Sequence, residues 1–404
     1  MPSRILILTN GHLCRNPRVV KEASTLGRAG YEVRVLHVKT SSEFEALDAD
    51  LTKSAPFQRD AIDLRPHAGA APFARRLRHW LAREACARWG LASAGSLGPA
   101  GSLWRRARAW PADLTIVHNE VAHAVGLRLQ RSGRRVAADI EDWHSEDLLP
   151  ADRARRPLAL LRRNERELLL RCVHTTTTSH ALSDGLFARY GGRRPEVITN
   201  SFPLQSLARP RSASKPPRLF WFSQTIGPGR GLEEFFASWQ LCRQPSEVVL
   251  LGAIAPGYEA ALLGSLPADR RAGVHLRPLV PPAALPDVIA EHDLGLALEQ
   301  SFIVNRDLTI TNKILQYLNA GLAIVASNTA GQREVLAAAP PAGRIVSLDQ
   351  PALFAATLDA MLANRDALAT SRRAARRLAE DIYCWEREEP RLLALVARAL
   401  TDRT

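Results

Sequence analysis

Two doubly wound α/β domains of similar size are what this sequence predicts, on three observations. Short β-branched or Leu-rich runs alternate with stretches of helical periodicity, as they do when parallel strands are covered on both faces. A segment rich in Pro, Ser and basic residues, SLARPRSASKPP at 206–217, breaks the alternation with no apolar period and reads as a linker. Beyond it the alternation restarts, in a chain whose 404 residues suit two ordinary domains.

The strand-like runs of the first half are 5–8, 33–38, 114–117, 136–140, 173–178 and 196–199. Those of the second half are 219–222, 248–251, 274–276, 294–298, 323–327 and 345–347. The predicted boundaries are 1–205 for the first domain, 206–217 for the linker, 218–380 for the second domain and 381–404 for a terminal amphipathic helix. That helix places Trp385, Leu392, Leu393, Leu395 and Val396 among its apolar positions. Segment 72–110 interleaves Arg75, Arg76, Arg78, Arg83 and Arg88 with Trp80 and Trp89, then Arg105, Arg106 and Arg108 with Trp104 and Trp110. It reads either as a basic, Trp-bearing surface for anionic lipid or as a helix pair packing its apolar side chains on the sheet.

Composition bounds the function. Apolar residues make up 46% of the chain, which excludes a mainly disordered protein, and 54 Lys and Arg against 41 Asp and Glu leave a net charge of +13. Such a charge points to an anionic partner: nucleic acid, an acidic membrane or a phosphorylated substrate. No RRM, KH, zinc-finger or helix-turn-helix signature accompanies it, so nucleic acid is not expected. Five widely spaced cysteines with no CxxC pair fit a reducing compartment. No apolar run reaches the roughly 18 residues of a membrane span, and the N-terminus enters a strand-like run at once. A cytoplasmic protein, peripheral at the inner face of the membrane if it docks there, is expected.

In open parallel sheets ligands sit beyond the carboxyl ends of strands, so the loops there hold the candidate sites. Asn10 and Gly11 follow the first run, where Gly11 lets backbone approach a substrate. His118 and Asn119 follow the run at 114–117, placed to hydrogen-bond a sugar hydroxyl or share a proton. Glu141 and Asp142 follow 136–140 in a polar loop whose spacing fits no common metal site. Asp48 and Asp50 form an Asp-x-Asp pair in what reads as a polar surface stretch.

The second half holds the most phosphate-like sequence. Gly227, Gly229, Arg230 and Gly231 lead into the helical pattern LEEFFASW, a Gly-rich loop that presents backbone N–H groups, a helix N-terminus and a bidentate cation. Thr311 is the expected cap of a helix carrying Asn312, Lys313 and Gln316 and ending at Gly321. A lysine in a first turn opposes the helix dipole, and a nearby anion would account for it. Another polar loop opens a helix near Gly331. Helix N-termini near 231, 312 and 331 are thus expected to converge on a diphosphate.

These segments resemble, over nearly the whole chain, the family-4 retaining glycosyltransferases of the GT-B fold. The opening ILILTN…NPRVVKEASTLGRAGYEVRVLHV is similar to that family's first βαβ unit, with Asn16, Pro17, Arg18 and Glu22 in their usual setting. DLTIVHNEVAHAVGLRL resembles the segment ending in the active-site His, which falls on His118, and AADIEDWHSED the acceptor-side loop. FSQTIGPGRGLEEF stands at the family's diphosphate site, and TNKILQYLNAGLAIVASNTAGQREV looks like its donor-binding helix and the strand after it, with Glu334 near its end. The terminal YCWEREEPRLLALV is similar to the helix that crosses back to the first domain.

There are departures. The family's E-x7-E would fall on Leu308 and Gln316, neither acidic, and Glu299 lies nine residues before the first of them. Arg230 stands for the family's Lys, and Gln224 stands near its Arg.

The resemblance implies two Rossmann-like domains facing across a cleft. The second would bind a nucleotide-diphosphate sugar through Gly229, Arg230, Gly231, Thr311, Asn312, Lys313, Gln316, Gly331 and Glu334, with Gly11 reaching it from the first. A glycan or lipid-linked acceptor would lie near Asn10, Arg18, Asn119, Glu141 and Asp142. His118 and Glu299 are the expected catalytic residues, with retention of configuration, no metal and no cofactor. Cell-surface polysaccharide or lipopolysaccharide synthesis is the implied setting. A nucleotide-sugar epimerase on the same fold and a non-catalytic basic membrane scaffold are the rival readings.

Overall fold

A computed structural model describes residues 1–401 apart from 67, 154–155, 207–215 and 265. Most of the expected linker, 206–217, therefore lies outside the described residues. The chain divides into two compact units, Met1–Thr178 with Leu182–Ile198 and Glu389–Thr404, and Ser179–Ala181 with Thr199–Glu388.

The first unit is built on seven strands: β1 (Arg4–Leu8), β2 (Glu32–Lys39), β3 (Gln58–Asp63), β4 (Leu114–His118), β5 (Val136–Ile140), β6 (Thr175–Thr177) and β7 (Glu196–Val197). They lie in the order β3-β2-β1-β4-β5-β6-β7 and every pair is parallel, with Ile5 opposite both Val33 and Leu114. Covered on both faces, such strands are apolar throughout, and β4 and β5 are buried along their whole length. The strand order reverses between β1 and β4, where an open α/β sheet holds its ligand. β3, absent from the sequence reading, has the polar sequence QRDAID and lies at the sheet edge, where one row of backbone groups is unpaired and side chains reach water.

The second unit has six parallel strands: β8 (Arg218–Ile226), β9 (Glu247–Ile254), β10 (Val274–Arg277), β11 (Leu294–Ala297), β12 (Ala323–Ser327) and β13 (Gly343–Val346). Their order is β10-β9-β8-β11-β12-β13, with its reversal between β8 and β11. Period-two alternation along β8 divides the core: Leu219 and Trp221 join Phe235, Trp239 and Phe354 on one face, while Phe220 joins Ile314, Tyr317 and Leu318 on the other. Each such side chain contributes about 1.5–3 kcal/mol through burial.

Segment 72–110 proves to be two helices with opposite habits. Ala100–Ala109 packs Leu103 and Ala107 inward, and its Trp104 lies under the Arg128 guanidinium, 3.6 Å from the ring centroid. Ala70–Trp89 leaves its aromatic side chains in solvent. Among the described residues no helix is long and apolar enough to cross a membrane.

Candidate functional site

In the first unit the helix Pro17–Arg28 begins just beyond β1, capped by the Asn16 side chain on the Val19 N–H. Arg18 and Glu22, four residues apart, therefore share one helix face, which turns onto the ends of β4 and β5. The buried Arg18 guanidinium forks onto both oxygens of Asp139, reaching Oδ1 at 3.1 Å, and donates to the Ile198 carbonyl at 2.8 Å. His118 Nε2 lies 2.5 Å from Glu22 Oε2, and its Nδ1 lies 3.3 Å from Asp139 Oδ2. Glu22, His118, Asp139 and Arg18 thus form a buried quartet with two carboxylates and two cationic groups.

Burial alone would push the His118 imidazole down, but the Glu22 and Asp139 carboxylates outweigh it and hold its pKa above the usual histidine value. Burial would likewise raise Asp139, and Arg18 and His118 pull it below the ordinary carboxylate range. His118 is only 1% exposed, so the structure places it inside this network rather than on an open surface. Arg18 is fully engaged there as well. Asp139, which sequence reasoning missed, shows as an acidic residue inside the otherwise apolar run VAADI.

Above the quartet lies a polar platform at the β1/β4 reversal. Thr9 Oγ1 accepts from Asn16 Nδ2 at 3.2 Å and from Asn119 Nδ2 at 2.9 Å. Asn119, with φ of 62°, is the only non-glycine among the described residues at positive φ, and its Oδ1 is buried without a partner. That backbone strain and the orphaned acceptor meet at the strand end where ligands bind. Asn10 is exposed and Gly11 has φ of 113° with open space where a side chain would project. Glu141 lies at the end of β5, where burial and the adjacent Asp142 push its carboxyl up to about 7.

Asp48 is not on a polar surface: it is buried in the helix Ser42–Leu51, accepting from the Cys14 N–H and pairing with His12, each at 2.7 Å. A helix turns this side chain inward, a direction that a run of polar neighbours does not reveal. His12, Glu45 and Asp48 offer ligand atoms within 4.8 Å of one another. His12 Nε2 already accepts the N–H groups of Thr40 and Ser41, which leaves the proton on Nδ1 facing Asp48 and no lone pair for a metal.

In the second unit β8 runs into Gly227, Gly229, Arg230 and Gly231, of which Gly229 and Gly231 have φ of 70° and 78°. A side chain at Gly231 would lie 3.0 Å from Leu298 Cβ at the end of β11, so the loop lies directly against the neighbouring strand of the reversal. Gly231 opens the helix Leu232–Trp239 with no side-chain cap. Arg230 is half-buried and has no ion-pair or hydrogen-bond partner among the described residues. Arg306, unassigned by the sequence reading, donates to the Gly229 carbonyl at 3.2 Å and braces the loop.

Glu299 follows β11, and its Oε1 meets Lys313 Nζ at 2.7 Å, with the ammonium 5.6 Å from the centre of the Trp221 ring. The first-turn lysine thus has a protein carboxylate as its anion. Ser327 locks the strand end: its hydroxyl accepts from the Glu299 N–H and donates to the Glu299 carbonyl, both at 2.8 Å. Thr311 holds the N-cap position of Asn312–Ala320 but makes no capping bond, and its hydroxyl is buried without a partner. Asn312 accepts from Asn200 Nδ2 at 2.9 Å, while the half-buried Gln316 keeps a partnerless Oε1.

The loops after β8, β11 and β12 are neighbours, but their three helix N-termini differ. Those at Leu232 and Asn312 lack side-chain caps. At Ala330–Ala337, Asp307 accepts from the Ala330 N–H at 3.1 Å and Thr329 caps Gln332, so this terminus is already filled. Gly331 serves packing, since a side chain there would come within 2.3 Å of the Thr309 carbonyl oxygen. The Glu334 carboxylate is taken up by the N–H groups of His180 and Ala181, each at 3.0 Å.

No family model and no curated protein matches the chain. Solved structures do. Sucrose-phosphate synthase from Thermosynechococcus elongatus superposes with a TM-score of 0.72 at 14% identity, over 98% of each chain. HepE of Anabaena in complex with UDP gives 0.67 at 15% identity, over 98% of this chain and 99% of that one. A protein of Listeria monocytogenes described as a UDP-N-acetylglucosamine 2-epimerase gives 0.62 at 11%, over 100% and 98%. With its two parallel α/β sheets and these full-length matches, the chain has the GT-B fold.

Proposed function

We propose that the chain is a glycosyltransferase that moves a sugar from a nucleotide-diphosphate donor to a glycan or lipid-linked acceptor in bacterial cell-surface polysaccharide or lipopolysaccharide synthesis. One observation carries the reading: beside the β8/β11 reversal, an unpaired Arg230 between left-handed glycines accompanies two helix N-termini that no side chain caps. Backbone N–H groups and a free guanidinium are what a diphosphate requires. The similar HepE has been solved with UDP and with UDP-glucose, which supports the same donor class here.

Cleavage of the anomeric C–O bond leaves negative charge on the diphosphate, and Arg230, Lys313 and the open helix ends would stabilise it. Fixed cations in these positions do what a metal does elsewhere, and on this reading the enzyme is metal-independent. Lys313 must then share itself between Glu299 and the phosphate. Acceptor hydroxyls would meet Asn10, Asn119, Glu141 and Asp142, with Arg18 and His118 holding that surface from below. Retention follows from the family resemblance.

The reading is tested by calorimetric titration with UDP, GDP and ADP, then mass spectrometry of the cognate sugar nucleotide with and without acceptor. Binding of one diphosphate and transfer only with acceptor support it. Conversion of the donor sugar without acceptor would identify an epimerase, and failure to bind all three diphosphates would refute the donor site.

A further inference from the structure

Helix Ala70–Trp89 is turned inside out. The face against its own unit carries small and polar residues: His79 Nδ1 meets the Gly95 carbonyl at 2.8 Å, Arg75 donates to the Asp63 carbonyl at 3.2 Å, and a side chain at Gly95 would lie 3.4 Å from Ala82 Cβ. The opposite face carries Phe73, Leu77, Trp80 and Leu81, which are 59%, 43%, 55% and 52% exposed. At 3.6 residues per turn these four lie within an arc of about 100°, the width of a stripe that normally faces a core. Trp89 in the last turn and Leu91, beyond the left-handed Gly90 that ends the helix, are exposed as well.

Charge identifies what covers it. The helix holds five arginines and one glutamate. Arg88 pairs with Glu84 at 3.1 Å, but Arg76, Arg78 and Arg83 have no partner among the described residues and flank the apolar arc. A second copy would set these arginines against their equivalents, in a chain already carrying +13. Tryptophan and phenylalanine between unpaired arginines suit the boundary of a bilayer, where rings enter the acyl region and guanidinium groups meet phosphates.

We propose that this helix docks the protein on anionic lipid, its axis in the plane of the membrane and its Phe73–Trp80 stripe inserted. The inference does not depend on the transferase reading, and its test reads binding without activity. The full chain is floated with phosphatidylcholine vesicles with and without phosphatidylglycerol, alongside Phe73→Ser/Trp80→Ser and Arg76→Gln/Arg78→Gln/Arg83→Gln variants. All five positions are outside the core, so circular dichroism should match the parent chain.

The expected result is flotation that needs phosphatidylglycerol, is lost in the apolar double variant and falls on the order of a hundredfold in the arginine triple variant. If the double variant does not fold, the triple variant carries the test. The proposal is overturned by absence of vesicle binding, by equal binding of parent and triple variant, or by a dimer in light scattering that the Trp80 substitution dissolves.

Discussion

Glu22 and His118, 96 residues apart in sequence, face each other at 2.5 Å in the interior of the first unit. Neither is satisfied alone, since a buried charge without its partner is costly. The pair makes the position of helix Pro17–Arg28 on the strand ends depend on ionisation as well as packing.

Its first consequence is a pH dependence. Because the folded His118 pKa is raised, its stabilising contribution is complete below about pH 6.5 and is lost as pH rises through the folded value. Asp139, held low, contributes above about pH 3.9 and loses its contribution as pH falls. Glu22→Gln should cost about 3–5 kcal/mol at pH 6, and its gap from the parent should narrow toward pH 9. Urea melts of both proteins across that range measure it; a constant gap contradicts the assignment.

Arg230→Ala and Lys313→Ala should each weaken binding of the cognate nucleoside diphosphate by roughly tenfold to a hundredfold, as loss of a charge-assisted contact does. Titration calorimetry measures this. Full affinity in both variants places the diphosphate elsewhere.

Glu299→Gln separates two roles for that carboxylate. If Glu299 merely competes with phosphate for Lys313, its removal frees the ammonium and diphosphate affinity rises about fivefold. If it holds the donor's sugar or ribose, affinity for the sugar nucleotide falls instead. The competitive outcome is expected from the 2.7 Å pair, and titration with diphosphate and sugar nucleotide side by side decides.

Gly331→Ala should destabilise the second unit by about 1–3 kcal/mol through overpacking against the Thr309 carbonyl. Gly229→Ala meets nothing within 4 Å and incurs only the left-handed backbone cost of about 1–2 kcal/mol. Thermal melts should therefore rank Gly331→Ala at least as damaging, while ligand titration finds the larger loss of diphosphate affinity at Gly229→Ala.

The fold was legible because fully covered parallel strands must be apolar along their length, as in the β1 sequence RILIL or LTIVH of β4. Edge strand β3 escaped because a half-solvated edge carries no such requirement. Backbone chemistry marks Gly229, Gly231 and Thr311 in the sequence, and in the structure the two glycines are left-handed and the threonine holds an N-cap position. Side-chain partners were not legible, because Asp139 on Arg18, Ser327 on Glu299 and Asp307 on the Ala330 N–H are matched by strand order, which is not written locally. The arginine and tryptophan segment was ambiguous for a related reason: periodicity defines a helix's two faces and leaves open which one turns to solvent.

The buried quartet also constrains how the sequence can change. Replacing Arg18 alone leaves two buried carboxylates, Glu22 and Asp139, sharing His118, and replacing Glu22 alone leaves two cations with only Asp139. A substitution at any one of positions 18, 22, 118 and 139 therefore unbalances the buried charge, whereas a charge-neutral combination does not. Helix Pro17–Arg28 and the ends of β4 and β5 are thus bound into one electrostatic unit, with charge balance as the linkage.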